Sequence, residues 1–212
     1  MEQDPEDRMF EYLLVFNIPK GGFYDKAVSL NMRIQEQSVL ERDKRYYPHL
    51  TAILTCLNES KESQFIRFLR DVTDSISPFN VTLSGIKGFD YNSVIYVDIE
   101  DKKPVKAIVE KLKTKLNGIV KPYKSVKYNR TFEPRFMKDD LHITIEKHLE
   151  KILYDCFLTL LKSENHTFEN FMIEQMILFK KPLGPYKNQK IAVFKFLGKS
   201  GDEYIQGSLF DR

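Results

Sequence analysis

A His-x-Thr phrase occurs twice in the chain, beginning at His49 and at His142. Each copy lies in a run of apolar and β-branched residues, which predicts a β-strand. Residues i and i+2 of a strand point to the same face. His49 and Thr51 should therefore project together, and His142 and Thr144 should repeat that arrangement. Two imidazoles, each with a neighbouring hydroxyl, indicate one site built from two halves.

Such a pair of motifs is suited to the cleavage of a phosphodiester. In-line attack on phosphorus needs a base on one side and an acid that protonates the leaving oxygen on the other. Histidine, with a reference pKa near ~6.5, serves in either role around neutral pH. Two threonine hydroxyls can donate hydrogen bonds to the non-bridging oxygens. This chemistry needs no metal ion or cofactor, so we predict neither. A single His-x-Thr carries little weight, because a histidine on a strand is more often structural, but the repetition favours the catalytic interpretation.

The two motifs occupy corresponding places in a repeated order of elements. Each half is predicted to contain a strand, a helix, the His-x-Thr strand, a second helix and a further strand, with the motifs 93 residues apart. The sequence therefore predicts an α+β fold with two pseudo-symmetric lobes of mainly antiparallel sheet and flanking helices around a central cleft. We expect one domain over residues 1–212, with lobes at approximately 1–91 and 92–200 and a C-terminal tail at 201–212.

The composition is that of a soluble globular protein, with 42% hydrophobic and 30% charged residues. No apolar run approaches the length of a membrane-spanning helix. The acidic N-terminus lacks the apolar segment of a secretory signal. Cys56 and Cys156 have no metal-binding or redox-type spacing, so we expect two buried free thiols in a reducing compartment. These features predict a cytoplasmic protein that does not associate with membranes.

Positive charge is concentrated in one segment of the chain. The net charge is only +3, but residues 102–138 contain ten lysines and two arginines against two glutamates. This segment therefore carries +10, and the rest of the chain carries −7. The asymmetry indicates a face that prefers anions such as phosphates. For this segment alone, a solvated, lysine-rich helix is the favoured explanation.

The residues around the two motifs, PHLTA and LHITI, resemble the paired hydrophobic-His-x-Ser/Thr-hydrophobic motifs of the 2H (two-histidine) phosphoesterase superfamily. The opening YLLVFNIP and the later GPYKNQKIAVFKF are similar to the first strand and the Gly-x-Tyr segment of its bacterial 2′-5′ RNA ligase and cyclic phosphodiesterase branch. The resemblance implies a bilobal fold and metal-independent hydrolysis of 2′,3′-cyclic phosphates on RNA ends or small nucleotides. It also implies that His49, Thr51, His142 and Thr144 are catalytic.

Two other functions are compatible with the same resemblance. The reverse reaction would join RNA ends through a 2′-5′ bond. A chain that kept the fold without turnover would be an RNA- or nucleotide-binding module. The intact histidines and threonines of both motifs favour an active enzyme.

Two further residues are candidates for substrate binding. Arg135 precedes the second motif by seven residues and would meet a phosphate if its segment leads into that strand. Tyr186, in a Gly-Pro-Tyr turn, would stack on a base or bind a phosphate. A surface arginine and a tyrosine that caps the core are the alternatives.

The C-terminal tail contains a short segment, from Gln206 to Phe210, that resembles the Gln-x-Ser/Asp-Leu-Phe peptide by which bacterial proteins dock on the replication sliding clamp. A free tail with two apolar anchors is suited to binding in a groove. The sequence thus suggests a sliding clamp as a partner, and a tail that folds back on a lobe is the alternative.

Overall fold

The computed structural model describes residues 8–38, 46–184 and 186–198. The longer strands are β1 (Met9–Asn17), β2 (His49–Asn58), β4 (Leu83–Phe89), β5 (Val94–Ile99), β9 (His142–Glu146), β11 (Gln175–Pro182) and β12 (Gln189–Lys195). The short strands are β3 (Phe79–Val81), β6 (Tyr123–Ser125), β7 (Arg130–Phe132), β8 (Arg135–Phe136) and β10 (Phe171–Ile173). The helices are α1 (Gly22–Ser38), α2 (Glu62–Asp74), α3 (Lys103–Leu116) and α4 (Lys151–Ser163). The tail with the clamp-like peptide lies outside the described residues.

The elements follow the repeated order that the sequence predicts. The first half runs β1-α1-β2-α2-β3-β4, and the second repeats it as β5-α3-β9-α4-β10-β11. The second half adds the short strands β6, β7 and β8 before its motif strand, and β12 after β11. The predicted α+β class with antiparallel sheet is confirmed.

The largest sheet is antiparallel and places the two motif strands side by side. Its strand order is β12-β11-β1-β2-β9-β5-β4, with β8 pairing on β2 beyond the end of β9. The strands β2 and β9 meet at one pair of residues, Leu50 and Ile143. Both side chains are buried in the main hydrophobic core. This pair joins a sheet half carrying the first motif to a sheet half carrying the second.

A small sheet repeats this two-fold relation on another part of the molecule. Its strands β3 and β10 are antiparallel, and Asn80 lies opposite Met172 at the centre. These residues are 92 positions apart, close to the 93 that separate the two motifs. Corresponding elements of the two halves therefore face each other at both places, which is the geometry of a pseudo-two-fold axis.

The two halves of the sequence are interleaved in the fold. The strand β4 belongs to the first half of the chain but pairs with β5, while β11 and β12 extend the sheet beside β1. Helix α1 packs against β9 of the second half, and α3 packs against α2 of the first. A boundary near residue 91 therefore separates the two sequence repeats but does not separate two sheets. Each half of the chain contributes strands to the sheet beside the other half and packs a helix against it.

The helices cover the sheet face that carries Leu50 and Ile143. Residues of all four helices belong to the same core cluster as these two. In α2 the buried Phe65, Leu69 and Val72 recur at the spacing of one helical face. The His-x-Thr residues alternate with the buried ones and so point to the opposite face. No helix within the described ranges is long and apolar enough to span a membrane.

Both cysteines are free thiols, as expected, but only Cys56 is buried. Cys156 is exposed on α4, contrary to the expectation of two buried thiols. The buried stripe of that helix is formed by Tyr154, Phe157 and Leu161. Cys156 lies outside this stripe, so helical periodicity turns it toward solvent.

We predict that Ile143→Ala lowers the free energy of unfolding by about 2–5 kcal/mol, because it opens a cavity where the two sheet halves join. The matched control is Ile152→Ala, since Ile152 is 83% exposed and Ile143 is 0% exposed. The control should change stability by less than about 0.5 kcal/mol. Urea unfolding followed by circular dichroism measures both. Equal losses in the two variants would contradict this account of the junction.

Candidate functional site

The strand register brings the two motifs together on one face of the sheet. Leu50 lies opposite Ile143 in an antiparallel pair. Continuing this register by one residue places His49 opposite Thr144. The same step in the other direction places His142 opposite Thr51. Directly opposed side chains on neighbouring strands have Cβ atoms about 4.5–5.5 Å apart. The four residues singled out from the sequence therefore form one compact group.

A β-bulge follows each motif at the same position. Ala52 is the extra residue in the pairing of β2 with β1, and Ile145 is the extra residue in the pairing of β9 with β5. A bulge leaves a carbonyl without its ladder partner. The Ala52 carbonyl accepts from the backbone N–H of Met137 at 2.9 Å. The Ile145 carbonyl accepts from Asn31 Nδ2 at 2.7 Å. Both bulges are therefore satisfied, and both end the flat pairing just after the motif.

Each motif histidine is held by a backbone carbonyl two residues earlier. His49 Nδ1 lies 2.7 Å from the carbonyl oxygen of Tyr47, and His142 Nδ1 lies 2.5 Å from that of Asp140. A carbonyl oxygen only accepts, so Nδ1 must carry the hydrogen in both rings. This leaves Nε2 as the nitrogen that exchanges a proton with a ligand. Neutral Nε2 is a base, and protonated Nε2 is an acid.

The environment lowers the pKa of both motif histidines. Burial is the main cause for His49, opposed by its hydrogen bond to the Tyr47 carbonyl, and the charges of Lys147 and His142 lower the pKa further. Burial also lowers the pKa of His142, and the hydrogen bond and charge of Asp140 oppose it. Both imidazoles are therefore easier to deprotonate than a free histidine.

A buried carboxylate lies beside the second motif. Asp98 on β5 is opposite His142 in the strand register. Lys87 Nζ approaches its Oδ2 at 2.6 Å, and Lys102 Nζ approaches its Oδ1 at 2.7 Å. Burial works to raise the pKa of Asp98, but the two lysines outweigh burial and the pKa lies below its usual value. Asp98 is thus ionised next to His142, but Lys87 and Lys102 counter its charge, and Lys102 lowers the pKa of His142 more than Asp98 raises it.

Aromatic rings surround His142. The rings of Phe89 and Tyr96 each lie 5.0 Å from the His142 ring, measured between centroids. These contacts come from β4 and β5, which pair with the motif strand or with each other. They restrict the ring to the orientation that the Asp140 carbonyl selects.

The surroundings of His49 follow the same plan with different chemistry. Asn17 on β1 lies opposite His49, in the place that Asp98 occupies beside His142. The hydroxyl of Tyr47 donates to the side-chain oxygen of Asn17. The Tyr47 ring stacks on His49 with centroids 6.0 Å apart and planes 18° apart. The first half of the site therefore has the neutral Asn17 where the second half has a charged cluster of Asp98, Lys87 and Lys102.

Sequence analysis did not select Asp98, Lys87 or Asn17. Each reaches the site through strand pairing with a residue distant in the sequence. The motif spacing contains no signal for them, and only the register of β1, β4 and β5 would have found them.

Arg135 and Tyr186 lie at different distances from the histidines. Arg135 on β8 is exposed and pairs with Leu54, three residues beyond Thr51 on β2. The bulge after the motif returns Leu54 to the face of the histidines, so Arg135 is on that face.

Tyr186 lies in the loop after β11, at the end remote from the histidines. Pro182, at the end of β11, pairs with Phe10, and His49 pairs with Asn17, seven residues further along β1. Tyr186 follows Pro182, so it lies about 20 Å or more along the strands from His49. A hairpin loop leaves from the far end of its strands, so Tyr186 is not part of the histidine group.

No group of three or more His, Cys, Asp or Glu side chains within the described ranges is arranged to hold a metal ion. His148, the histidine closest in sequence to the second motif, is exposed in the loop after β9.

Residues 30–181 of the chain match the model of the 2′-5′ RNA ligase superfamily. The chain belongs to the 2′-5′ RNA ligase superfamily. No curated protein matches it in sequence. Among solved structures, its fold is similar to that of E. coli LigT complexed with 3′-AMP, with a TM-score of 0.56 and 8% identity over 89% of this chain and 98% of LigT. It is also similar to TT0787 of Thermus thermophilus, with a TM-score of 0.52 and 12% identity over 90% of this chain and 100% of TT0787.

These similarities confirm the family and the fold that the two motifs suggested. At such low identity the solved structures support the fold alone, so the chemistry of the site depends on the residues of this chain.

We predict that NMR of the ligand-free protein finds His49 and His142 as neutral Nδ1–H tautomers, each with a pKa below about 6.5. Inorganic phosphate should raise both values, because a bound anion favours the charged imidazole. Imidazole ¹⁵N shifts across a pH titration, assigned with the variant lacking each histidine, measure the tautomer and the pKa. An Nε2–H tautomer or a pKa above the ordinary histidine value would contradict the site geometry.

Proposed function

We propose that this superfamily member hydrolyses 2′,3′-cyclic phosphates on RNA ends or nucleotides. The observation that carries the proposal is the two-fold group in which each histidine lies opposite the threonine of the other motif. Such a group has a proton-exchanging nitrogen and a hydroxyl donor on each side of a central space. A phosphodiester undergoing in-line displacement needs the same functions on its two sides.

The reaction would proceed by direct attack of water on the cyclic phosphate. Neutral Nε2 of one histidine takes a proton from water as its oxygen forms a bond to phosphorus. The bond from phosphorus to one ribose oxygen breaks, and protonated Nε2 of the other histidine gives its proton to that oxygen. The hydroxyls of Thr51 and Thr144 donate to the non-bridging oxygens, which carry the negative charge of the transition state. The product is a phosphomonoester with one free ribose hydroxyl.

The charges around the two rings favour His142 as the acid and His49 as the base. The carbonyl and the charge of Asp140 stabilise the protonated form of His142, whereas Lys102 lowers its pKa more than Asp98 raises it. His49 faces the positive charge of Lys147 and is the more deeply buried ring, which favours its neutral form.

Ligands of a relative agree with a nucleotide substrate. E. coli LigT has been crystallised with 3′-AMP and with phosphate. The same site geometry would also support the reverse reaction, in which a ribose-bound hydroxyl replaces water and joins two RNA ends through a 2′-5′ bond.

We predict that His49→Ala and His142→Ala each lower kcat/KM for 2′,3′-cyclic UMP by about 10²–10⁴-fold, because each removes a general acid or base. Thr51→Ala and Thr144→Ala should each cost about 10²-fold through lost transition-state hydrogen bonds. Phosphorus NMR follows the product directly, with and without EDTA. His148→Asn is the matched control, since His148 is exposed and has a φ of +58° that asparagine tolerates.

The control should keep full activity in this assay. Unchanged turnover in either motif-histidine variant would contradict the assignment of His49 and His142 to the site. Loss of turnover in EDTA would contradict the metal-free mechanism. If the wild type binds cyclic-ended RNA but turns over no substrate, the binding-module alternative is favoured instead.

The pH dependence of kcat/KM should be bell-shaped with a maximum below pH 6.5. Activity rises with pH as the base loses its proton and falls as the acid loses its proton. The pKa of each histidine is lowered in the free protein, so both limbs lie on the acidic side of the ordinary histidine value. Initial rates at low substrate concentration between pH 4.5 and 8 measure the profile. A maximum well above pH 7 would contradict the assignment.

The acid assignment has its own test with a p-nitrophenyl phosphodiester, whose leaving group departs without protonation. His142→Ala should lose far less activity on this substrate than on the cyclic phosphate, whereas His49→Ala should lose activity on both. If His49→Ala keeps most of its activity on this substrate and His142→Ala loses it, the two roles are the reverse of those proposed.

A further inference from the structure

The hairpin formed by β6 and β7 carries a concentration of positive charge away from the histidines. Residues 121–132 contain Lys121, Lys124, Lys127 and Arg130, against one exposed carboxylate, Glu133, directly after the hairpin. All four side chains are exposed. The hairpin is part of the basic segment noted in the sequence, and the proposed reaction makes no use of it.

The hairpin lies on the same face of the sheet as the histidines. Tyr12 and Thr55 are opposed on the core side, so the next pair, Glu11 and Cys56, points to the histidine face. Arg135 is paired with Leu54 on that face, and continuing this pairing backward along the chain brings the end of the hairpin toward the level of Cys56. The Tyr128 hydroxyl bonds to the Leu183 carbonyl after β11, so the hairpin runs from β2 toward β11, and the helices cover the other face of the sheet. Along β2, Cys56 is five residues from Thr51, or roughly 17 Å at the rise of an extended strand.

The loop between β11 and β12 meets this hairpin. The hydroxyl of Tyr128 donates to the Leu183 carbonyl at 2.7 Å. At Gly184, a Cβ would lie 2.9 Å from the Tyr128 hydroxyl and 3.5 Å from the Tyr186 ring, so hairpin, glycine and Tyr186 are in close contact. Tyr186 is 59% exposed. The loop adds Lys187 and has no acidic residue.

We infer that Lys124, Lys127, Arg130, Tyr186 and Lys187, here called the basic-aromatic surface, bind the single-stranded RNA that leads to the reacting 3′ end. Exposed cations attract the phosphate backbone, and an exposed aromatic ring offers a stacking platform for a base. Arg135 lies between this surface and the histidines on the same face of the sheet.

This inference rests on the proposed function for the position of the cyclic phosphate, and it narrows the substrate class. A mononucleotide held between the histidines is too short to reach a surface roughly 17 Å away. An oligoribonucleotide spans that distance. The surface therefore favours RNA ends over free nucleotides as substrates.

The test measures binding of fluorescein-labelled decauridylate with a 3′-phosphate by fluorescence anisotropy between 50 and 300 mM salt. The triple variant Lys124→Gln, Lys127→Gln and Arg130→Gln should bind on the order of tenfold or more weakly at 0.1 M salt. Its slope of log affinity against log salt should fall by about 2, because about 0.7 counterions are released per phosphate contact with single strands. Circular dichroism confirms that the variant is folded.

The matched control removes the same charge from α3, through Lys103→Gln, Lys111→Gln and Lys113→Gln. These lysines are exposed on a helix that packs on the opposite face of the sheet. Their removal should leave affinity and salt slope near the wild-type values. Equal losses in the two triple variants, or no loss in the hairpin variant, would overturn the inference.

The stacking part of the surface is tested separately. Tyr186→Ala should weaken binding on the order of tenfold without changing the salt slope, and Tyr186→Phe should bind like the wild type. Full affinity in Tyr186→Ala would remove Tyr186 from the surface. None of these measurements requires turnover, so their failure is distinct from a failure of the cyclic phosphate assay.

Discussion

The pairing of β2 with β9 at Leu50 and Ile143 is the constraint on which the site depends. Leu50 and Ile143 are paired across the strands and buried together in the core. Because strand side chains alternate, fixing this pair below the sheet fixes the residues on either side of it above the sheet. A one-residue slip of either strand would turn the two motif residues of that strand into the core. The stability of the core and the geometry of the site are therefore set by the same pairing.

Two-fold pairing makes the site symmetric in shape, and the flanking strands make it unequal in charge. Both imidazoles are held through Nδ1 by a carbonyl two residues earlier. Asp98 and Asn17 occupy matching places beside them, one ionised and one neutral. An acid and a base need different protonation states at the same pH. The shallower burial of His142 and the charge of Asp140 beside it favour the protonated form there, whereas deeper burial and Lys147 favour the neutral form of His49.

Much of this arrangement is local and could be predicted from the sequence. The alternation around His49 and His142 identifies the face of each motif, and the repeated order of elements suggests one site. The exposure of Cys156 was also predictable, since its helix already has a buried stripe through Tyr154 and Phe157. The periodicity of α4 outweighs the general tendency of cysteine to be buried.

The remaining features depend on pairing between distant strands. Asp98 reaches His142 only because β5 pairs with β9, and no motif spacing encodes that register. The exchange of β4 and β11 between the halves is likewise invisible in the sequence repeat. Tyr186 was correctly expected in a loop, but the direction of its hairpin decides that it lies far from the histidines.

The central claim is that the two histidines act as one acid–base unit on one phosphate. The most direct measurement is a double-mutant cycle on 2′,3′-cyclic UMP hydrolysis with His49→Ala, His142→Ala and the double variant. Residues that act as a unit have strongly non-additive effects. The account predicts that the double variant loses about as much kcat as the worse single variant. Losses that multiply in the double variant would show that the histidines act independently and would contradict the claim.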